Sequence, residues 1–323
     1  MTEGAWQVLD IGVNEFSEVS QLFEGVFGQK MSRALWDWKY GCGRGVGVGA
    51  RAPGGRLVAH YGGTYRELRW DYHSQHAVHI GDVMVASEGR AALSHKGPFG
   101  LVTEGFFQRY IGHGGGRALG FGFPNDRHMR LGERLGHYKK VDDIFELRWV
   151  AENSDEYVVQ AVDWSALDCE ATVDAFCAEL MSGLSGYAAP VRNYAWLRHR
   201  YANHPENYYQ AFWINDKPSN ARLGAVFLKQ SRTSAEPGIC GLWELMDWIG
   251  SPALSLSMVA AAKQIVSNNA GQHLTLWCSG SVARLLAPSS PRLTRVCSAA
   301  VTLPNTLSAD LQWWLTGGDT DFR

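Results

Sequence analysis

The chain has 323 residues, 46% hydrophobic and 19% charged, and its 30 basic and 32 acidic side chains leave a formal net charge of -2. That length exceeds one ordinary core and fits two domains of about 100 to 200 residues each. A charge so close to zero argues against a dedicated nucleic-acid binder or a polybasic membrane binder, either of which carries a basic excess over a whole domain.

The amino-terminal stretch MTEGAWQVLDIG has acids where a secretory signal has basic residues. No apolar run reaches the roughly 18 residues needed to span a bilayer, so a cytoplasmic protein is expected. Six dispersed cysteines without a Cys-x-x-Cys pair suggest neither a disulfide framework nor a zinc knuckle.

Residues 6–11 read as a strand, and Val19, Leu22, Phe23, Val26 and Phe27 recur at helical spacing behind it. Leu35-Trp36-Asp37-Trp38-Lys39-Tyr40 follows, and then the run from Gly43 to Gly49. That run resembles a dinucleotide loop in composition but does not link a strand to a helix, so it is expected to form a turn. Extended stretches at 55–62, 66–71 and 77–85 come next, then a helix over 97–110 and a buried strand over 118–123.

The second half repeats this order. Trp196-Leu197-Arg198-His199-Arg200-Tyr201 answers the first tryptophan segment, 221–228 and 241–248 answer the strands, 254–266 the helix and 274–278 the buried strand. The repeat predicts an α/β chain of two tandem domains, 1–150 and 151–323, each a mostly antiparallel mixed sheet flanked by helices. The polar stretch at 151–156 would be the join.

The segment from Ile80 to Gly100 runs from a strand through a basic loop into a helix. Such a helix start offers unpaired N–H groups and a positive dipole end to an anion, with Arg90, His95 and Lys96 as added charge and Pro98 suited to the first turn. An ordinary capped loop with solvated basic residues is the competing reading. Farther on, the strand at 118–123 leads through Pro124 and Asn125 into a helix that Gly136 is placed to terminate.

This order of strand, glycine-containing phosphate loop, helix, strand and Asn-led helix ending in Leu-Gly resembles the acyl-CoA-binding core of the GCN5-related N-acetyltransferases. The resemblance covers most of residues 1–150, and the repeat extends it to a degenerate second copy. The Trp-x-Trp-Lys-Tyr and Gly-Phe-Pro-Asn segments are most similar to a bacterial branch with two such domains, distantly like the N-terminal part of the enhanced-intracellular-survival acetyltransferases.

The resemblance implies that Ser94-His95-Lys96-Gly97-Pro98-Phe99, with Gly100, forms the phosphate loop; Ser94 and Phe99 depart from the family's basic and small residues there. It implies that Val83, Met84 and Val85 splay from their neighbouring strand toward the pantetheine arm and thioester carbonyl, and that Asn125 begins the next helix near that arm. The family's usual acid, a Tyr in this helix, is replaced by Gly132, which leaves Tyr138 and His128 as substitutes. Asp82 is the expected base, against the alternative of a salt-bridged carboxylate.

The implied activity is transfer of an acyl group from acetyl-CoA to a small-molecule primary amine held near the domain interface, with no nucleic acid, membrane or metal involved. A non-catalytic acyl-CoA module, and an acyltransferase using a long-chain or carrier-protein thioester, are the alternatives. His73, His76 and His79 have metal-like spacing, but on a strand His76 faces opposite to the other two. Cys42 and Cys278 lack an activating base nearby in sequence. In the second copy Trp248-Ile249-Gly250-Ser251-Pro252-Ala253-Leu254 replaces the glycine-basic loop, so CoA binding is not expected there. Oligomeric state is not readable from these features.

Overall fold

The computed structural model describes residues 6–70, 73–87, 89, 96–112, 119–231, 241–286, 292–300 and 311–321. In chain order the elements are β1 (Gln7–Ile11), α1 (Phe16–Phe27), α2 (Arg33–Tyr40), β2 (Gly45–Arg51), β3 (Leu57–Trp70), β4 (His73–Val85), α3 (Pro98–Tyr110), β5 (Leu119–Gly122), α4 (Asp126–Arg134) and β6 (Tyr138–Val150). They continue with β7 (Tyr157–Ala161), α5 (Cys169–Gly183), β8 (Tyr187–Pro190), α6 (Tyr194–Leu197), β9 (Tyr209–Asp216), β10 (Arg222–Gln230), β11 (Leu242–Gly250), α7 (Ser255–Asn268), β12 (His273–Ser279), α8 (Gly280–Leu286), β13 (Arg292–Ala300) and β14 (Gln312–Trp313).

The chain forms two compact units. Unit 1 comprises Met1–Leu68, Ser74–Val141 and Val296–Asp310; unit 2 comprises Arg69–His73, Asp142–Arg295 and Leu311–Arg323. The units therefore part inside β6 rather than at the polar stretch after residue 150. Strand pairing takes precedence over chain order here: Ser298 and Ala299 of β13 pair antiparallel with Gly122 and Phe121 of β5, which returns a C-terminal stretch to the first unit.

In unit 1 the strand order is β1-β2-β3-β4-β5-β13, antiparallel at β1·β2 and β2·β3 and parallel at β4·β5. The run expected to be a turn forms β2 from Gly45 onward. Its alternation explains this: Val46, Val48 and Ala50 join the core under α3, with Tyr61, Phe99 and Phe106, while the intervening glycines give room to the other side. A Cβ on Gly45 would come within 2.6 Å of the Tyr40 ring, and one on Gly47 within 2.7 Å of His60 Nε2. On that side Ile11, Val19, Leu22, Trp36, Tyr40, Val58 and Met84 form a second core against α1 and α2. The stretches expected as separate strands at 55–62 and 66–71 are one 14-residue strand, β3.

In unit 2 the order is β6-β12-β11-β10-β9-β7, and β14 pairs in parallel with β8. Its core gathers Trp243, Trp248 and Trp314 with Leu245, Met258, Ile265 and Leu276. Gly224 (φ 148) and Gly250 (φ 120) pair across β10 and β11, where a Cβ on Gly250 would meet the Leu223 carbonyl; only glycine adopts that backbone so close to a neighbour.

Candidate functional site

Three element ends meet in unit 1. The parallel register of β4 with β5 ends at Ile80↔Gly122, where β5 gives way to Phe123-Pro124-Asn125, while β4 runs on to Val85. No β5 residue stands opposite Val83, Met84 or Val85. At Gly89 an added Cβ would lie 3.0 Å from Val85 and 3.4 Å from Pro98, so the end of β4 and the start of α3 come together there. The Phe99 ring stacks on His128 of α4 at 6.4 Å between centroids, which brings the first turns of α3 and α4 side by side.

Local sequence explains each start. Gly97 is the extended N-cap of α3 and Pro98 its first residue, where a missing N–H costs nothing. The following N–H groups of Phe99 and Gly100 have no carbonyl four residues back in the helix, so this end favours an anion. Asn125 caps α4, its side chain accepting from His128 N at 2.9 Å. Gly136 (φ 71) closes it, with His137 N donating to Gly132 O and Gly136 N to Glu133 O, the paired bonds of a Schellman ending.

Asp82 lies in β4 with φ 51, and its side chain is 7% exposed. Its carboxylate forms a 2.6 Å ion pair with Lys39 Nζ, which is 5% exposed, and accepts from Tyr40 Oη at 2.6 Å. Its backbone carbonyl lies 2.8 Å from His60 Nδ1. A carbonyl only accepts, so Nδ1 carries the proton. Burial lowers the pKa of His60 and keeps the ring neutral, which leaves Nε2 a bare acceptor, buried and with no hydrogen-bond partner among the described residues. Asp82, expected as a base facing a cleft, is thus committed to Lys39 and Tyr40.

Tyr138 begins β6 with its ring over Gly132; a Cβ on Gly132 would overlap that ring. Gly132 therefore makes room for a tyrosine from the next strand. Tyr138 Oη shares a 2.8 Å buried hydrogen bond with Tyr61 Oη, and burial raises the pKa of both phenols, keeping them protonated. His128 is half-buried.

Among the other residues expected at the site, Met84, Val85, Gly97, Pro98, Phe99 and Gly100 are buried, Val83 is half-buried, and Lys96 and Asn125 are exposed. Arg90 and His95 lie outside the described residues. Lys39, Tyr40, His60 and Tyr61 were not singled out from sequence. The available signal was the repeated basic residue followed by Tyr, Lys39-Tyr40 and Arg200-Tyr201.

His79 is buried between Phe121 and Phe123, whereas His73 and His76 are exposed, and no metal-holding group of side chains occurs among the described residues. Cys278 is buried and its thiol pushed up by desolvation, while Cys42 is exposed.

In unit 2, β11 and β12 pair only from Leu242↔His273 to Glu244↔Thr275, although β11 continues to Gly250 and β12 to Ser279. The chain's own C-terminal segment occupies that divergence. Thr316 bridges Cys278, Ser279 N donates to Leu315 O at 3.0 Å, and a Cβ on Gly318 would lie 3.1 Å from the Met246 carbonyl on β11. Arg192 fastens it, donating to Asp247 of β11 at 3.1 Å and to Asp319 at 2.6 Å, all three buried. At the start of α7, Trp248 Nε1 donates to Ser255 Oγ at 3.3 Å.

No family model matches the sequence, and no curated protein matches it. Solved structures do. A conserved protein of unknown function from Enterococcus faecalis V583, described as a probable N-acyltransferase, superposes with a TM-score of 0.70 at 15% identity, covering 93% of this chain and 74% of that one. A GCN5-related N-acetyltransferase from Kribbella flavida gives 0.63 at 16% identity, with 92% and 71% covered. The Saccharomyces cerevisiae N-myristoyltransferase with bound myristoyl-CoA gives 0.59 at 8% identity, with 93% and 82% covered. No helix among the described residues is long and apolar enough to cross a membrane. The chain has the fold of the GCN5-related N-acetyltransferases.

Proposed function

We propose that unit 1 is an acyl-CoA-dependent N-acyltransferase that uses acetyl-CoA and acts on a small-molecule primary amine. The observation that carries this reading is the run of β4 beyond its register with β5, ending against the first turn of α3, whose N-cap Gly97 has no side chain to cap it. These residues fit the group: Gly97 has no side chain to occupy the first-turn N–H groups, and the β4 backbone at Val83–Val85 has no β5 residue opposite it. A bound thioester would supply an activated acyl carbonyl. Phe99 and Gly100 would hold diphosphate oxygens by their N–H groups, and Val83–Val85 would receive the arm and carbonyl.

As the C–N bond forms and the C–S bond breaks, Tyr138 hands its proton to the departing sulfur. Burial keeps the phenol protonated but also makes it a weaker acid, and the Tyr61 hydroxyl, 2.8 Å away, is placed to donate to the oxygen that gives up the proton. His128, half-buried in the first turn of α4, takes the proton from the amine in place of the ion-paired Asp82. A second reading, acyl-CoA binding without transfer, is favoured by the burial of Tyr138 Oη against Tyr61.

The test is thermal unfolding with acetyl-CoA, free CoA and myristoyl-CoA, since a ligand at 100 times its Kd stabilises the fold by about 2.7 kcal/mol. Stabilisation by acetyl-CoA together with CoA release in the presence of amines supports transfer. Stabilisation without release supports the second reading, a preference for myristoyl-CoA makes the donor long-chain, and no stabilisation overturns the assignment.

A further inference from the structure

We infer that Lys39, Tyr40 and His60 are positioning residues for acyl transfer: they clamp Asp82 in a left-handed backbone conformation and thereby aim the β4 backbone that receives the thioester carbonyl. This rests on the reading of unit 1 as an acyl-CoA enzyme.

Asp82 is a non-glycine residue at φ 51 inside a strand, where an extended backbone is the rule. Such an outlier persists only where its surroundings over-determine it, and here both ends of the residue are held. Lys39 and Tyr40, adjacent at the end of α2, take the carboxylate at 2.6 Å each, and His60 of β3 takes the carbonyl at 2.8 Å. The sheet is thinned to admit them: a Cβ on Gly62 would overlap Tyr40 Oη and the His60 ring, and one on Gly47 would press on His60 Nε2.

The consequence follows from peptide geometry. In a planar trans peptide the C=O and the next N–H point in opposite directions. With the Asp82 carbonyl on His60, the N–H of Val83 points away from His60, and it belongs to the stretch of β4 that has outrun β5. A donor fixed in this way before the reaction needs no reorganisation as negative charge develops on the carbonyl oxygen. The ion pair therefore acts on the reaction through the backbone, and no proton moves through Asp82.

Two double variants separate this from a chemical role for the carboxylate. Lys39→Met with Asp82→Gly and Lys39→Met with Asp82→Ala both replace the buried ion pair by uncharged groups, but only glycine adopts the left-handed conformation without strain. Calorimetric titration of each, and of the wild type, with acetyl-CoA and with free CoA gives the readout. The alanine double variant should bind acetyl-CoA about five- to thirtyfold more weakly than the glycine double variant, while their affinities for free CoA, which has no thioester carbonyl, agree. If the alanine variant does not fold, His60→Leu, which releases the Asp82 carbonyl, carries the same expectation of a selective loss for acetyl-CoA. Equal acetyl-CoA affinities in the two double variants, or a parallel loss for free CoA, overturn the clamp alone. A wild type that binds neither ligand overturns the acyl-CoA reading instead.

Discussion

Asp82 stands three residues before the end of β4 and Asp247 three before the end of β11, and the two units use a buried carboxylate for different ends. In unit 1 its partners are Lys39 and Tyr40 of α2, and the result is one residue held at φ 51. In unit 2 Arg192 joins Asp247 to Asp319, and the result is that the C-terminal segment is tied into the divergence between β11 and β12. A splayed strand pair leaves main-chain groups and apolar side chains that something must cover. Unit 2 covers them with its own Leu315 and Thr316, both buried, and unit 1 is read as keeping that place for an acyl thioester.

The largest expected effect breaks the closed side of this comparison. Arg192→Met leaves Asp247 and Asp319 buried without their cation and should cost about 3–5 kcal/mol in urea unfolding. Adding Asp247→Leu and Asp319→Leu removes the two uncompensated charges and should return part of that loss, the remainder reflecting Trp248 N, Thr316 N and the Pro190 carbonyl, which lose their side-chain partners. A single variant that unfolds like the wild type would remove the network from the account.

Next in size is Gly132→Ala, whose Cβ must displace the Tyr138 ring. Overpacking of about 1–3 kcal/mol should outweigh the roughly 1 kcal/mol that alanine gains in a helix, and the near-ultraviolet circular dichroism of the tyrosines should change with it. Tyr138→Phe then sharpens the functional side. It should lower acyl transfer by about 10²–10⁴-fold if the phenol is the acid, and destabilise unit 1 by about 1–3 kcal/mol because Tyr61 Oη loses its buried partner. Full turnover in this variant would remove Tyr138 from the mechanism.

The smallest effect is in pH. Burial holds His60 below the ordinary 6.5, so below that pH the unfolded chain takes up a proton that the folded unit refuses. Stability should therefore fall as the pH drops from 6.5, by at most about 1.4 kcal/mol per pH unit, and level off only below the folded-state pKa of His60. His60→Asn keeps a donor for the Asp82 carbonyl without the titration and should flatten this part of the melting curve. An unchanged slope would place the titration elsewhere.

Local signals were legible in the chain. Gly97-Pro98 starts α3, Asn125 caps α4 and Gly136 ends it, because caps are written in residues a few positions apart. What spans the sheet was not. The glycines of β2 read as a turn because their reason, room for Tyr40 and His60, lies on other elements. The burial of Lys39 was hidden because its partner is 43 positions away on a strand whose register no local pattern fixes. Tyr138 stood out in the chain only as a candidate, and its pairing with Tyr61, 77 residues earlier, was not legible there. The return of a C-terminal stretch to each unit followed from pairings that no periodicity announces.

The central claim, one unit open to an acyl thioester and one closed by its own chain, is tested most directly by the stoichiometry of acetyl-CoA binding to the full chain. Calorimetric titration should give one acetyl-CoA per chain, lost in Gly97→Glu, whose carboxylate meets the diphosphate at the start of α3. Two per chain, or one that survives Gly97→Glu, would contradict the account.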